Sequence, residues 1–255
     1  MSAGAKAAGL GLALVALNLA VRSGPPSFPQ PATTGLVPVV VVDPGHGWSP
    51  AERSYTGAYN AHARLYEDTF NLDIALRLSY ALQGAGAEVY LTRSGDEEPP
   101  DFNGDGEQNN TDRAFFALQL RRFHPHASRP RADAYVSIHL NASRDPLKRG
   151  ATVVFSESQE AAAFAHASRA LAEFIHSRLV TVLPESAPPF AVNGLYMDRL
   201  ALPHAVVEVV FITNRADLAW VQQPFNRQRA AELIAEGIVQ WWWSWRRWQT
   251  PARAR

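Results

Sequence analysis

The chain has 255 residues, 47% hydrophobic and 19% charged, enough apolar side chain for one sizeable core. Its 24 basic and 24 acidic residues cancel to a formal net charge of zero, so the basic excess that nucleic acid attracts is missing. The absence of cysteine excludes disulfides, thiol nucleophiles and thiolate metal sites; any metal must be held by His, Asp, Glu, carbonyls or water, which favours hard-to-borderline ions such as zinc or calcium.

In chain order, Lys6 precedes an apolar run over 7–21. The run is shorter than the roughly 20 residues a bilayer span needs and follows the charged-then-apolar plan of a secretory signal. No small-x-small cleavage site is clear, so a retained membrane anchor stays open beside a cleaved signal, and a buried first helix is the structural alternative. The Pro-rich stretch 24–31 reads as an extended linker. Residues 37–42 are β-branched and apolar and predict a buried strand. Residues 67–82 predict a helix whose apolar face carries Phe70, Ile74, Leu78 and Leu82, ended by Gly84 and Gly86. Strands follow over 88–92, 134–140 and 151–156, a helix over about 160–179, a strand over 205–212 and a closing helix from 227 to about 245. Alternating strands and helices predict an α/β fold of three layers, with a largely parallel mixed sheet flanked by helices. Ligands in such sheets gather at strand ends.

Candidate metal ligands sit at those ends. His46 follows the first strand in Asp43-Pro44-Gly45-His46-Gly47, Glu67 opens the first helix, and His139 ends the third strand. Two His and one Glu with an open fourth position make a catalytic zinc shell. Glu208 lies inside the apolar strand Val206-Val207-Glu208-Val209-Val210, where a carboxylate is costly without a partner. Singly these residues read as a core histidine, a helix-start acid and an ion-pairing glutamate; together, at neighbouring element ends, they read as a site.

The chain resembles the bacterial zinc-dependent N-acetylmuramoyl-L-alanine amidases of the amidase-3 type. The resemblance rests on Val41-Val42-Asp43-Pro44-Gly45-His46-Gly47, on Gly57-Ala58 upstream of Glu67, and on Leu91-Thr92-Arg93 with Asp96 behind it. It continues through residues 132–142 around Ser137-Ile138-His139-Leu140-Asn141, then Gly150, Pro203, Val207-Glu208 and Phe211-Ile212-Thr213-Asn214. It implies zinc on His46, Glu67 and His139, with Glu208 as the acid/base that cuts the bond between N-acetylmuramic acid and L-alanine in peptidoglycan. Asn141 and Arg93 are candidate substrate-binding residues, each with a structural alternative: a strand-end turn and a salt bridge. Val210 stands where the family has glycine. The loop between His46 and Glu67 is long, and its Trp48, Arg53, Tyr55, Tyr59 and His62 are candidates for shaping substrate choice; His62 is the weaker alternative ligand.

The expected organisation is a signal peptide or anchor over 1–23, a linker over 24–35, a single catalytic domain over 36–248 and a disordered tail over 249–255. An insertion over 96–131 carries a second candidate metal site: Asp101, Asn103, Asp105, Glu107, Asn109 and Asp112 place oxygen ligands at calcium-loop spacing, with glycine at the sixth position. The loop differs from an EF-hand in ending on Asp112 and resembles dockerin loops in that respect; a polar surface loop is the alternative. In the aromatic tail 241–248, Trp241 and Trp245 share a core face, whereas Trp242, Trp243 and Trp248 with Arg246 and Arg247 are candidates for membrane-interface or sugar contact, or for packing. The implied enzyme is exported to the periplasm or cell envelope, acts on peptidoglycan, binds no nucleic acid, and touches membrane, if at all, through either end; a protein activator is left open. The competing readings are an inactive wall-binding module and a zinc carboxypeptidase acting on wall peptides.

Overall fold

The computed structural model describes residues 37–158, 161–194 and 196–249. The N-terminal apolar run, the Pro-rich linker and residues 250–255 lie outside the described residues.

Four consecutive valines begin β1 (Val39–Pro44), which is buried on both faces, as a central strand of a covered sheet must be. Two small antiparallel ribbons follow, β2 (Trp48–Ser49) with β3 (Ser54–Tyr55) and β4 (Tyr59–Asn60) with β5 (Leu65–Tyr66), and the chain then enters α1 (Glu67–Gly84). Next come β6 (Glu88–Leu91), α2 (Asn110–Leu118), α3 (Leu120–Phe123), β7 (Ala134–Asn141), β8 (Thr152–Phe155), α4 (Ala165–Leu179), β9 (Phe190–Ala191), β10 (His204–Phe211), α5 (Arg215–Val221) and α6 (Pro224–Gln249).

Six strands form one sheet in the order β6-β1-β7-β10-β8-β9. The first four are mutually parallel; β8 pairs antiparallel with β10 and parallel with β9. This is the expected mixed, mainly parallel sheet between helical layers. Side chains alternate between the faces. Val40, Val42, Val136, Ile138 and Val207 point toward α1, α4 and α6, where they meet Ile74, Leu171 and Ile238. Val39, Val41, Tyr135 and Val206 point the other way, onto Phe116 and Leu120 of α2 and α3 and onto Met197. Helices α4 and α6 approach closely because residue 237 is glycine: a Cβ there would lie 2.7 Å from the Ile175 Cα.

Several boundaries differ from expectation for local reasons. The helix expected from about 160 begins at Ala165, after a 3-10 turn over Ala162–Phe164. Helix α6 starts earlier than predicted, at Pro224, a residue suited to the first helical position because it has no N–H to satisfy. It also runs to Gln249, into the segment expected to be disordered. Helix α5 was not predicted; Asn214 caps it, accepting hydrogen bonds from the Ala216 and Asp217 N–H groups. The tail expectation is corrected in part. Trp241 and Trp242 are both buried, the first donating from Nε1 to the Ala167 carbonyl at 3.0 Å and the second lying under the Arg129 guanidinium. Trp242 is therefore not available to a membrane or a sugar.

Candidate metal centre

The sheet face toward α2 changes character along the strands. Early positions carry Val39, Val41, Tyr135 and Val206; later ones carry Asp43, Ser137, His139 and Glu208. Pairing places Asp43 beside Ser137 and Glu208 beside His139, so four polar side chains converge where the parallel strands end.

Two turns complete the site. His46 has φ +58°, a left-handed conformation rare for a non-glycine residue, and Gly47 follows with φ +155°, where a Cβ would lie 2.7 Å from the Glu98 N. Glu67 begins α1, its backbone N–H donating to the Ala58 carbonyl at 2.9 Å. His46, Glu67 and His139 bring one ligand atom each to within 4.8 Å of the others. His46 Nε2 is 3.3 Å from Glu67 Oε1, and His139 Nδ1 is 3.8 Å from Glu67 Oε2. Bonds of about 2.0–2.1 Å at a tetrahedral zinc put ligand atoms about 3.3 Å apart; His46 and Glu67 stand at that spacing, His139 is wider at 3.8 Å, and the donor chemistry of two imidazoles and a carboxylate fits that ion. His62, the alternative ligand, is exposed and outside the group.

The carboxylate of Glu67 is held in place from three sides. Oε1 accepts from the Ala58 N at 2.7 Å, and Oε2 accepts from the Leu140 N at 2.8 Å and from Asn71 Nδ2 at 3.1 Å. Burial lowers His139 to about 4 against the raising pull of Glu67, so the ring is neutral at neutral pH, the form that binds metal. Burial would raise Asp43, but the Arg113 charge and hydrogen bonds from Ser137, Thr92 and Tyr135 outweigh it and hold the carboxyl well below the usual range. Glu208 has no such support. Its Oε2 is buried with no hydrogen-bond partner, and burial, assisted by the Glu67 charge, pushes the group up to about 8. Asp68, next to the ligand Glu67, is also buried, both its oxygens lack partners, and burial followed by the Glu67 charge raises it to about 7.

Glycine at 45 lets the two histidines meet. A Cβ there would lie 2.2 Å from the His139 ring, and the rings themselves sit edge to face at 4.9 Å. Gly45→Ala should therefore displace His139 and lower zinc affinity at least tenfold, as read by chelator competition. Wild-type affinity in that variant would mean the ring does not depend on this gap.

Other expected residues are placed differently. Arg93 is buried and spends its guanidinium on the carbonyls of Pro44, Gly45, Asp68 and Gly95. These contacts tie strand ends to α1, in keeping with the structural alternative for this residue. Asn141 is half-buried at the end of β7, its Oδ1 accepting from the Ala142 N at 2.8 Å. Val210 is fully buried beside the pairing irregularity that follows Glu208 and packs in the core rather than over the site. The calcium expectation gains no support. Asp101 accepts from the Gly104 and Gly106 N–H groups, Asn103 from Asp105, and Asp105 from Glu107. Asn109 and Asp112 form a reciprocal capping box that starts α2. Among the described residues, His46, Glu67 and His139 are the converging His, Asp or Glu group; the carboxylates of Asp101, Asp105, Glu107 and Asp112 do not form another.

Sequence reasoning gave no role to Thr56, Glu98, Arg113 or Ser137, all of which touch the ligands or their supports. Ser137 and Asp43 had a signal, since a polar residue at every second position of an apolar strand marks one face. Thr56 and Glu98 lie in loops and had none.

Comparison with known proteins identifies the family. The profile of the family described as N-acetylmuramoyl-L-alanine amidase matches residues 40–240. Curated relatives include the amidase LytC of Bacillus subtilis (strain 168), 28% identical over 204 residues, covering 80% of this chain and 35% of LytC. The germination-specific N-acetylmuramoyl-L-alanine amidase of the same organism is 27% identical over 206 residues, covering 80% of this chain and 79% of its own length. The chain thus spans about a third of LytC. Among solved structures, the CwlV catalytic domain from Bacillus (Paenibacillus) polymyxa var. colistinus aligns at TM-score 0.60 and 26% identity, covering 81% of this chain and 98% of that one. The CwlD amidase of Clostridioides difficile, solved with the GerS lipoprotein, shares the fold at TM-score 0.65 and 21% identity, covering 81% and 99%. With its profile matched over most of its length, this chain belongs to the N-acetylmuramoyl-L-alanine amidase family.

Proposed function

We propose that the chain is a zinc-dependent hydrolase of the amide bond between the lactyl group of N-acetylmuramic acid and the L-alanine of the stem peptide in bacterial peptidoglycan. The observation that carries this reading is Glu208: a carboxylate in register with His139, with a buried and unpartnered oxygen, beside a His-Glu-His cluster. A general base needs that arrangement, since the proton it takes must find an oxygen not already committed to a donor.

His46 Nε2, Glu67 and His139 Nδ1 would hold the metal. When bound, zinc supplies Lewis acidity, making water a competent nucleophile near neutral pH and polarising the scissile carbonyl. Glu208 takes a proton from the attacking water and returns it to the leaving nitrogen. Glu67 keeps its orientation through Ala58, Leu140 and Asn71, so the ligand set does not need to reorganise during turnover. Asn141, two residues beyond His139 at the strand end, would orient substrate through its amide nitrogen, since its Oδ1 already accepts from the Ala142 N.

The two ribbons lie in the chain between His46 and Glu67. Trp48, Tyr55, Tyr66 and Tyr59 lie in file, with ring centroids 5.3, 5.3 and 4.4 Å apart, and the end members Trp48 and Tyr59 are exposed. Asn60 ties the second ribbon to the Ile212 carbonyl, just past the Glu208 strand. These rings suit the sugar and peptide of a wall strand. At about 0.5–1.5 kcal/mol per ring contact, Trp48→Ala or Tyr59→Ala should raise KM for peptidoglycan roughly 2–12-fold with kcat within twofold. A pure kcat loss would move these rings from binding to chemistry.

We place the reaction in the cell envelope. The apolar run 7–21 and the Pro-rich stretch after it support export, and among the described residues no helix is long and apolar enough to cross a membrane. Digestion of purified peptidoglycan with product analysis by mass spectrometry is the test. Stem peptides released with a free N-terminal L-alanine are expected. Single amino acids released in their place would make the chain a carboxypeptidase, and binding with no release would make it a wall-binding module. Full activity in zinc-free protein would overturn the ligand assignment.

A further inference from the structure

The two histidines of the cluster are oriented by separate chains of groups, and both chains end on the same side chain. His139 Nε2 lies 3.0 Å from Ser137 Oγ, and Ser137 Oγ lies 2.5 Å from Asp43 Oδ2. His46 Nδ1 lies 3.2 Å from Thr56 Oγ1, which lies 2.6 Å from Glu98 Oε1. A hydroxyl has one proton to give. With that proton donated to a carboxylate, Ser137 and Thr56 can only accept from the imidazoles. This fixes His139 with its proton on Nε2 and His46 with its proton on Nδ1. The lone pairs are then on His139 Nδ1 and His46 Nε2, the atoms that face Glu67.

Both carboxylates are held by Arg113, which is buried at the start of α2. Its Nη1 donates to Asp43 Oδ1 at 2.6 Å and to the Pro44 carbonyl at 2.9 Å. Its Nη2 donates to Glu98 Oε2 and to the His46 carbonyl at 2.8 Å. One guanidinium thus fixes two carboxylates and the strained backbone of one ligand, geometry a lysine ammonium, a point donor, cannot reproduce.

We infer that Arg113 is the positioning residue of the metal centre, setting the tautomer of both histidines at once through Asp43–Ser137 and Glu98–Thr56. The inference rests on the zinc-site reading above. The two arms are unequal. Asp43 also accepts from Thr92 and from Tyr135 at 2.7 Å, whereas Glu98 accepts from Thr56 and Arg113. Loss of Arg113 therefore disturbs the His46 arm more than the His139 arm.

The test measures zinc affinity of the full chain by competition with a chromophoric chelator, with thermal unfolding of the metal-free protein as the folding control. Outer-shell partners of ligating histidines are worth about 10–100-fold in metal affinity. Thr56→Val, which keeps shape and removes the hydroxyl, is expected to weaken zinc 10–100-fold with metal-free unfolding unchanged, and Thr56→Ser to restore it. Arg113→Lys is expected to weaken zinc at least as much. In the Thr56→Val/Arg113→Lys double variant, the loss should be smaller than the product of the two single losses, because the substitutions share the Glu98–Thr56 arm, and should exceed that of Thr56→Val alone by what the Asp43–Ser137 arm contributes. If Arg113→Lys does not fold, Glu98→Gln takes its place in the cycle. Wild-type zinc affinity in folded Thr56→Val, or full additivity in the double variant, overturns the inference while leaving the zinc site standing. Absence of zinc binding by the wild-type chain overturns both.

Discussion

Glu208→Gln should lower kcat/KM on peptidoglycan by about 10²–10⁴-fold, the usual contribution of a positioned acid/base, while zinc affinity stays within a few-fold of wild type. The substitution keeps the shape of a side chain that the sheet places against His139 and removes its ability to carry a proton. Loss of activity together with loss of metal would instead make Glu208 a fourth ligand, and undiminished activity would remove it from the chemistry. A second measurement separates the charge from the reaction. Burial raises Glu208 to about 8 in the folded metal-free protein, against an ordinary value of 4.5. A raised carboxyl binds its proton more tightly folded than unfolded, so its contribution to stability falls as pH rises from 4.5 to 8. In metal-free protein, Glu208→Gln should therefore match wild type below pH 4.5 and exceed it above pH 8, by about 1–4 kcal/mol. Denaturant unfolding at the two pH values checks this, and equal stabilities at high pH would show that the carboxylate is well solvated.

Asp43→Ala should cost about 3–5 kcal/mol, a large share of the roughly 5–15 kcal/mol that holds a typical domain together. Asp43 has no exposed surface, and its two oxygens accept from Arg113, Thr92, Tyr135 and Ser137. Truncation leaves a buried guanidinium short of one of its two carboxylate partners and Thr92 without its acceptor, while Tyr135 and Ser137 fall back on the Tyr196 hydroxyl at 3.1 Å and the residue-43 carbonyl at 3.4 Å. The pH dependence runs opposite to that of Glu208. The folded-state Asp43 carboxyl is held well below its ordinary value of 3.8, so the stability it supplies is complete above that value and is lost as pH falls toward the depressed one. Acid unfolding of wild type should begin below about pH 4 and be blunted in any variant that survives without Asp43. A ΔΔG under 1 kcal/mol in Asp43→Ala would show that the network re-forms around water.

The layered sheet was legible because apolar runs of strand length alternate with helical patterns, and those signals are local. The candidate metal cluster was legible for a related reason: His46, Glu67 and His139 lie at the ends of elements whose limits could be seen. Even the inner support was half visible, since Val39-Val41-Asp43 and Tyr135-Ser137-His139 follow a period of two. What could not be read is pairing across long stretches of chain. Thr56 meets Glu98, 42 residues away, and Arg113 meets Asp43, 70 residues away. Arg93 and Arg113 look alike as letters, but one serves main-chain carbonyls and the other joins two carboxylates. The loop over 101–112 carries two readings for a different reason: the Asp, Asn and Gly residues that coordinate calcium also make tight turns by hydrogen-bonding their own backbone. In this chain those oxygens accept from loop N–H groups and cap a helix.

The ends of the sheet have a bearing on how the molecule behaves among its own copies. Among the described residues, the sheet stops at one side on β9, two residues long, and at the other on the four residues of β6, whose Glu88 carboxylate is engaged by the Ser128 N and by Tyr90. An unpaired strand edge templates further strands only if it is long, flat and apolar. Neither border offers such a ladder, so the longer apolar strands most able to nucleate aggregation, β1, β7 and β10, are sealed in the interior of the sheet with a hydrogen-bonded neighbour on each side.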